Sequence, residues 1–374
     1  MMPFARNDTS ALGRWWWTVD RWTLAALATL MAIGTMLTLA ASPAVASRIG
    51  LEPLHFVRRQ MMYLPVALAV LVGTSLLSPR EIRRVALVVL VLGVALMAVT
   101  PFFGTEIKGA RRWIALGPVS LQPSEFVKPA LAVIAGWLFA AQRLQANLPG
   151  NLISVALFLV VAILLVRQPD FGMVVVVSAV WFTQFFLAGL SMVWVVLFLG
   201  LGVVGAVGGY LLLPHVASRV DRFLDPSSGD TYQVSTALEA FLNGGLLGRG
   251  PGEGTVKSVL PDAHSDFIFA VAGEEFGLIA CLFLVALFGF IVLRGFARAL
   301  QETNLFVLLA VAGLLVQFGL QALINMGSTL PLIPTKGMTL PFISYGGSSL
   351  LALSLGMGFV LALTRKRFGP GEAP

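Results

Sequence analysis

The segment GTVKSVLPDAHSDFIFAVAGEEFGL, Gly254 to Leu278, runs a loop carrying Asp262, His264 and Asp266 straight into an apolar stretch that holds Glu274 and Glu275. Ionisable groups at and just inside a membrane boundary are costly, and they persist where they face a cavity, a partner charge or a substrate path. A carboxylate there suits general-base work, because partial burial raises its pKa toward neutrality. The plainer reading of Asp266 is a cap on the helix that follows, a position Asp favours. His264, Ser265 and Asp266 are consecutive and cannot form a nucleophile triad, whose members must hydrogen-bond in sequence through space.

The rest of the chain is the scaffold for that corner. Of its 374 residues 57% are apolar and 11% charged, which excludes a soluble surface. Stretches of about 20 apolar residues can cross a bilayer as helices that satisfy their own backbone. Ten are visible, near 23–46, 61–78, 85–103, 124–141, 151–166, 171–190, 191–214, 267–293, 304–325 and 343–364. The expected fold is all-α, a polytopic protein with about ten transmembrane helices in a single integral membrane domain over 1–374. The runs are too long for the strands of a membrane barrel. The first stretch lacks the short core and small-residue cleavage site of a secretory signal and reads as a retained span.

An even count puts both termini on one side. Lys and Arg divide almost evenly between the two faces, but the crowding of SPREIRR and TRKRF into short turns and ends favours cytoplasmic termini. Lys108, Arg111, Arg112, Arg219, Arg222, Arg249, Lys257 and Lys336 then lie outward, against the usual bias. An anionic substrate explains the cluster; headgroup attraction explains any one of them singly. Two outward loops are long enough to build a site, 104–123 and about 215–266, the latter between spans seven and eight. An apolar run at 237–247 in the second has the look of a short amphipathic helix lying on the membrane.

Other features carry less. Cys281 stands alone within a span as a packing residue, and no zinc-type spacing is present. The glycines at 248, 250, 252 and 254 lack the Lys-Ser or Lys-Thr of a phosphate loop and read as hinges. Asp170-Phe171-Gly172 spells a kinase metal motif without its companions and reads as coincidence. Gly205 and Gly209 predict close helix packing. Of Glu274 and Glu275, about two turns into the span, one can pair with a buried Lys or Arg while the other is protonated. The glycines of SYGGSSLLA allow helices to approach, and Ser344 and Ser348 are placed to meet a substrate headgroup.

RRWIALGPVSLQPSEFVK, RFLDP, GGLLGRGPGEGTVKSVLPDAHSDFIFAVAGEE and PTKGMTLPFISYGGSSLLA together resemble the SEDS family (shape, elongation, division and sporulation). RQPDFG, GPGEGTVK and MTLPFISYGGSS are closer to its division branch than to its elongation branch. The resemblance implies a peptidoglycan glycosyltransferase of the bacterial inner membrane, at the division septum, polymerising lipid II on the outer face with inversion and release of polyprenyl pyrophosphate. It implies Asp266 as the general base. Arg112 and Lys128 match family positions linked to activity and suit a pyrophosphate oxygen, Lys128 alternatively snorkelling at a helix end or being neutralised by Glu125. Lys336 is a substrate contact or an interface anchor, and Arg222, His264 and Ser348 complete the expected substrate wall. The family more often reads PEAHTDF, so the shorter Asp262 leaves its part as a metal ligand open.

The expected cavity is lined by spans four, eight and nine with the two loops. A divalent cation, Mg or Mn, fits the chemistry, with no organic cofactor. The expected partners are lipid II, membrane lipids, a class B penicillin-binding transpeptidase and other division proteins; no nucleic acid is expected. A lipid flippase would use the same spans without a base, and a non-catalytic scaffold would need neither. An elongation polymerase is the nearest relative of the favoured reading.

Overall fold

The computed structural model describes residues 10–365 except 108, 118, 145–146, 226 and 228–230; Lys108 therefore lies outside the described residues. Its helices are α1 (Ala11–Thr18), α2 (Arg21–Arg48), α3 (His55–Ser75), α4 (Pro79–Phe103), α5 (Pro123–Leu144), α6 (Gly150–Arg167), α7 (Phe171–Leu187), α8 (Met192–Leu212), α9 (Pro214–Leu224), α10 (Tyr232–Gly244), α11 (Ile268–Ala299), α12 (Leu305–Thr329) and α13 (Gly347–Leu363). Each of the ten apolar stretches falls on one of them. Eight are long and apolar enough to cross a membrane, and the other two, α7 and α13, are 17 residues each. At 1.5 Å per residue those two span about 25 Å, a little under a typical hydrocarbon core.

Burial sorts the spans. α5 and α12 are largely enclosed, and α13 is buried along nearly its whole length, so these three form the centre. α8 is the opposite: only Val195 and Gly209 are buried. Its glycines therefore do not mediate the close packing that their spacing predicts. A Cβ at Gly205 would meet nothing, and only Gly209 has a neighbour, the ring of Phe171.

Both ends of the described chain gather on one face. Trp15 Nε1 donates to Ser75 Oγ at 2.8 Å, Arg294 Nε and Nη2 donate to Asp20 at 2.7 and 2.9 Å, and Arg298 joins Asp20 at 2.8 Å while reaching the Thr364 carbonyl. The loops gather on the other face, where Arg48 donates to the carbonyls of Ser258, Val259 and Leu260.

The first loop is more regular than the sequence led us to expect. It forms a three-stranded antiparallel sheet, β1 (Thr105–Ile107), β2 (Ala110–Leu116) and β3 (Val119–Leu121), with Ile107 opposite Ala110 and Leu116 opposite Val119. Gly109 and Gly117, at φ of 75° and 64°, supply the left-handed backbone that such tight connections need.

The second loop folds back into the bundle. The short helix α10 is present but does not simply rest on a membrane surface: Thr236, Ala237, Ala240 and Gly244 are buried, and Gly244 lies against the backbone of Gly273 and Glu274. α11 is broken at Gly277, whose φ of 76° divides a short inner piece from the long spanning piece. A Cβ at Gly277 would stand 2.4 Å from Gly248 N and from Leu246 O, so the break is where two backbones touch.

Candidate active site

On the loop face the helices leave a cavity of about 600 Å³. Its wall is built from Tyr63 of α3, Arg112, Ser120 and Gln122 of the sheet and its exit, Glu125 of α5, Asp170 and Met173 at α7, and Arg219 of α9, closed by Asp262, residues 264–267, 335–339 and 345–347, and Ser349. More spans contribute than expected. The eighth span, α11, lines the cavity only through the loop that precedes it.

Asp266 is half-buried on this wall. It does not cap α11, which begins at Ile268 with Phe267 in the cap position and no side-chain cap bond. The turn holding it hangs on the Asp262 carbonyl, which accepts from the backbone N–H of Ser265, Asp266 and Phe267 at 3.0, 3.1 and 3.3 Å. Asp262 itself sits at φ 52°, and its side chain reaches the same cavity. The Asp266 carbonyl accepts from Asn325 Nδ2 at 2.9 Å, which ties the turn to α12.

Three cations share the wall. Arg112 donates through Nε to the Gln168 carbonyl at 2.8 Å and through Nη2 to the Pro169 carbonyl at 2.6 Å, with Nη1 at 3.4 Å from Asp170. Lys336 pairs with the other oxygen of Asp170. Arg219 reaches the Thr335 carbonyl. Burial alone would push the Asp170 carboxyl up, but Lys336 and Arg112 beside it prevail and hold it below the ordinary carboxylate value. Burial pushes the Lys336 ammonium and the Arg219 guanidinium down, with Arg112 adding to both; Asp170 opposes this at both, and Asp266 at Arg219.

The other expected site residues are placed differently. Arg222 is not on the wall; its Nε donates to Ser218 of its own helix at 2.9 Å, while Arg219, one turn earlier, faces the cavity. Lys128 is buried behind the wall, 2.9 Å from Glu125 and 3.0 Å from Gln321 Oε1, so it neither snorkels nor touches the cavity directly. Ser348 is buried and accepts from Gln122 N at 3.0 Å while donating to the Ser120 carbonyl at 3.1 Å, which fastens α13 to β3; Ser349 is the serine that faces the cavity. Ser344 is likewise spent on the Leu340 N–H and the Ser265 carbonyl. His264 is on the wall, its ring stacked on Phe56 at 4.0 Å with Tyr345 at 5.4 Å.

Two more of the basic residues expected on the outer face, Lys257 and Arg249, hold structure. Lys257 pairs with Glu275, and Arg249 donates to the carbonyl and side chain of Asn243. Glu274 accepts from three backbone N–H groups, those of Thr255, Val256 and Lys257. Sequence reasoning missed Asp170, and of the two arginines on α9 it chose Arg222 where Arg219 faces the cavity. Asp170-Phe171-Gly172 has nothing of a kinase about it, yet its Asp joins two of the wall's cations; the signal was its place in RQPDFG.

Among the described residues no group of three or more His, Cys, Asp or Glu converges as a metal cage. Asp262 and Asp266 both bring carboxylates to the cavity wall, the ligand type that Mg²⁺ takes alongside substrate phosphates.

A half-buried carboxylate beside fixed cations, in a cavity of this size at a membrane face, suits proton removal from a hydroxyl next to an anionic leaving group. Comparison with known proteins agrees. A chain of Caulobacter vibrioides named as a probable peptidoglycan glycosyltransferase FtsW is 46% identical over 334 residues, 89% of this chain and 86% of that protein. Another of the same name from Legionella pneumophila is 35% identical over 85% of this chain and 83% of its own length. Among solved structures, a chain of a peptidoglycan synthase complex that coordinates polymerization and crosslinking superposes with a TM-score of 0.74 at 28% identity, over 92% of this chain and 97% of the other. The rod shape determining protein RodA of Thermus thermophilus gives 0.67 at 28% identity, over 93% and 97%. The cell cycle protein family of FtsW, RodA and SpoVE matches residues 21–368, and the chain belongs to that family.

Proposed function

We propose that this chain is a peptidoglycan glycosyltransferase of the division type, which joins lipid-linked disaccharides into glycan strands. The observation that carries the reading is Asp266 on a cavity wall shared with Arg112, Arg219 and Lys336. A sugar hydroxyl of one lipid II chain attacks the anomeric carbon of the other with inversion. Its proton passes to the Asp266 carboxylate, and the bond from the anomeric carbon to the phosphate oxygen breaks with its electron pair leaving on polyprenyl pyrophosphate. Arg112, Lys336 and Arg219 stabilise that departing charge, being held in place before the substrate arrives. The aromatic wall of His264, Tyr345 and Tyr63 offers ring faces and hydroxyls to the sugars.

A divalent cation arriving with the pyrophosphate would be held on the protein side by Asp262 and would neutralise part of the diphosphate charge. Membership of the family, together with its multi-pass apolar helices, supports the bacterial inner membrane, with the cavity outward and the septum as the place of action. The likeness to a synthase complex supports a transpeptidase partner that crosslinks the strands.

Polymerisation of labelled lipid II by purified protein, with and without that transpeptidase, tests the reading. Asp266→Asn should reduce turnover by about 10²-fold or more, while lipid binding persists. A flippase would transport normally with the same substitution, so equal polymer from wild type and variant would remove Asp266 from the mechanism.

A further inference from the structure

Asp170 takes no chemical step in the reaction above, yet its side chain is only 4% exposed and several donors converge on it. The backbone N–H of Met173 donates to Oδ1 at 3.2 Å, so Asp170 caps α7; Lys336 donates to the same oxygen, and Arg112 stands 3.4 Å from Oδ2. Lys336 reaches that carboxylate across the first turn of α7, directly over Gly172. A Cβ at 172 would stand 2.1 Å from Lys336 Cε and 2.6 Å from its Nζ. The next residue repeats the arrangement at the base, since a Cβ at Gly337 would stand 2.9 Å from Asp266 Oδ2. The Lys336–Gly337 segment is thus pinned at one end on Asp170 and lies against Asp266 at the other.

We propose that Asp170, reached through the gap at Gly172, is a positioning residue: it fixes Lys336 and Arg112 as a preformed pair of cations for the diphosphate of the donor and, through Gly337, sets the place of Asp266. This rests on the glycosyltransferase reading of the cavity. An unanchored lysine would lose its rotamer freedom only on binding substrate, and anchoring shifts that cost to folding. Asp170 also opposes the downward push that burial gives the Lys336 ammonium. The charged groups acting on that ammonium are Arg112 from β2, Arg219 from α9 and Asp170 before α7, with Asp266 on the same cavity wall; both arginines and burial work against its proton, and Asp170 is the carboxylate bonded to it.

The test is polymerisation of lipid II by the full-length protein, with KM and kcat followed from about pH 6 to about pH 9. Asp170→Asn keeps a good helix cap and removes only the charge. It should raise KM about tenfold, with a smaller loss in kcat, because the diphosphate charge is already present in the bound substrate. The alkaline limb should begin at lower pH, and adding Lys336→Arg, which stays charged, should move it back. Gly172→Ala leaves Asp170 intact and favours the helix, so the fold is safe; by displacing Lys336 it should reproduce the rise in KM.

Wild-type KM and pH profile in both single variants would overturn the proposal. So would a loss in Asp170→Asn that is equal at every pH and untouched by Lys336→Arg, which would leave Asp170 as a helix cap alone. Wild-type protein that makes no polymer would instead overturn the glycosyltransferase reading beneath it.

Discussion

Replacing Glu274 by Ala tests how the loop that leads to Asp266 is held. Glu274 is fully buried, and its Oε1 accepts from Asn243 Nδ2, Thr255 N and Val256 N at 2.8, 2.8 and 2.7 Å, while Oε2 accepts from Lys257 N at 2.8 Å. The substitution strands three backbone donors where little else can serve them, at about 1–3 kcal/mol each. Water entering the vacated space recovers part of that, leaving a net loss of roughly 3 kcal/mol. Since about 1.4 kcal/mol is tenfold, the segment 254–258 should open about 100-fold more often. Trypsin reads this directly, because Arg249 and Lys257 lie in and beside the segment and nicking follows the open population when closing is faster than cleavage. The Ala variant should be cut at those residues about 100-fold faster than wild type, with Glu274→Gln between the two and polymerisation falling in the same order. Nicking of the Ala variant at the wild-type rate would show that the carboxylate does not hold the loop.

Lys257→Met alone leaves Glu275 buried without its ammonium and should destabilise the protein by about 3–5 kcal/mol, whereas Lys257→Met with Glu275→Leu should regain most of it, as read by thermal unfolding in detergent. Gly277→Ala puts a Cβ 2.4 Å from two backbone atoms at a φ of 76°, and the yield of folded protein should drop sharply. Asp170 and Asp20 both have folded pKa values held below the ordinary 3.8, burial being outweighed at Asp170 by Lys336 and Arg112 and at Asp20 by Arg294, Thr23 and Arg298. Their stabilisation is complete above the unfolded value and is lost as pH falls through the folded one, so Asp170→Asn and Asp20→Asn should flatten the melting temperature below about pH 4.

The spans were legible because apolar runs in a membrane leave the backbone little choice but a helix. The sheet at 105–121 was not: its strands are three to seven residues long, and the pairing rests on Gly109 and Gly117 in an otherwise mixed segment. At the site, Asp266 was legible as a carboxylate at a span boundary, and its neighbours were not, since they converge from six or more separate segments. Arg219 and Arg222 are three apart on α9, so sequence offered two candidates for one place, and only the packing of α9 decides which faces the cavity. Lys128 and Ser348 looked like substrate contacts because their types suit phosphate and sugar, yet both are enclosed by partners more than 190 positions away, Gln321 and Ser120. Of the two adjacent glutamates, Glu275 finds the expected cation in Lys257, while Glu274 accepts from three backbone N–H groups that no sequence pattern announces.

The charges on the cavity wall bear on how proton transfer and leaving-group departure are linked. With Glu125 satisfied by Lys128 behind the wall, Arg112, Arg219 and Lys336 stand against Asp170, Asp262 and Asp266. Such a wall is close to neutral before reaction, which lets cations sit at a membrane face without a large desolvation cost. In the proposed reaction, an Asp266 that has accepted the proton of the attacking hydroxyl no longer offsets Arg219, whose charge Asp266 and Asp170 both support. The wall then becomes more positive at the moment the departing diphosphate gains negative charge, so the two halves of the displacement favour each other through a field that needs no side chain to move. A base placed elsewhere on the bundle could take the same proton but would not release that positive charge beside the leaving group. On this ground the loss on Asp266→Asn should exceed what proton transfer alone would forfeit, and Arg219→Gln should remove part of the difference in a double-mutant cycle with it.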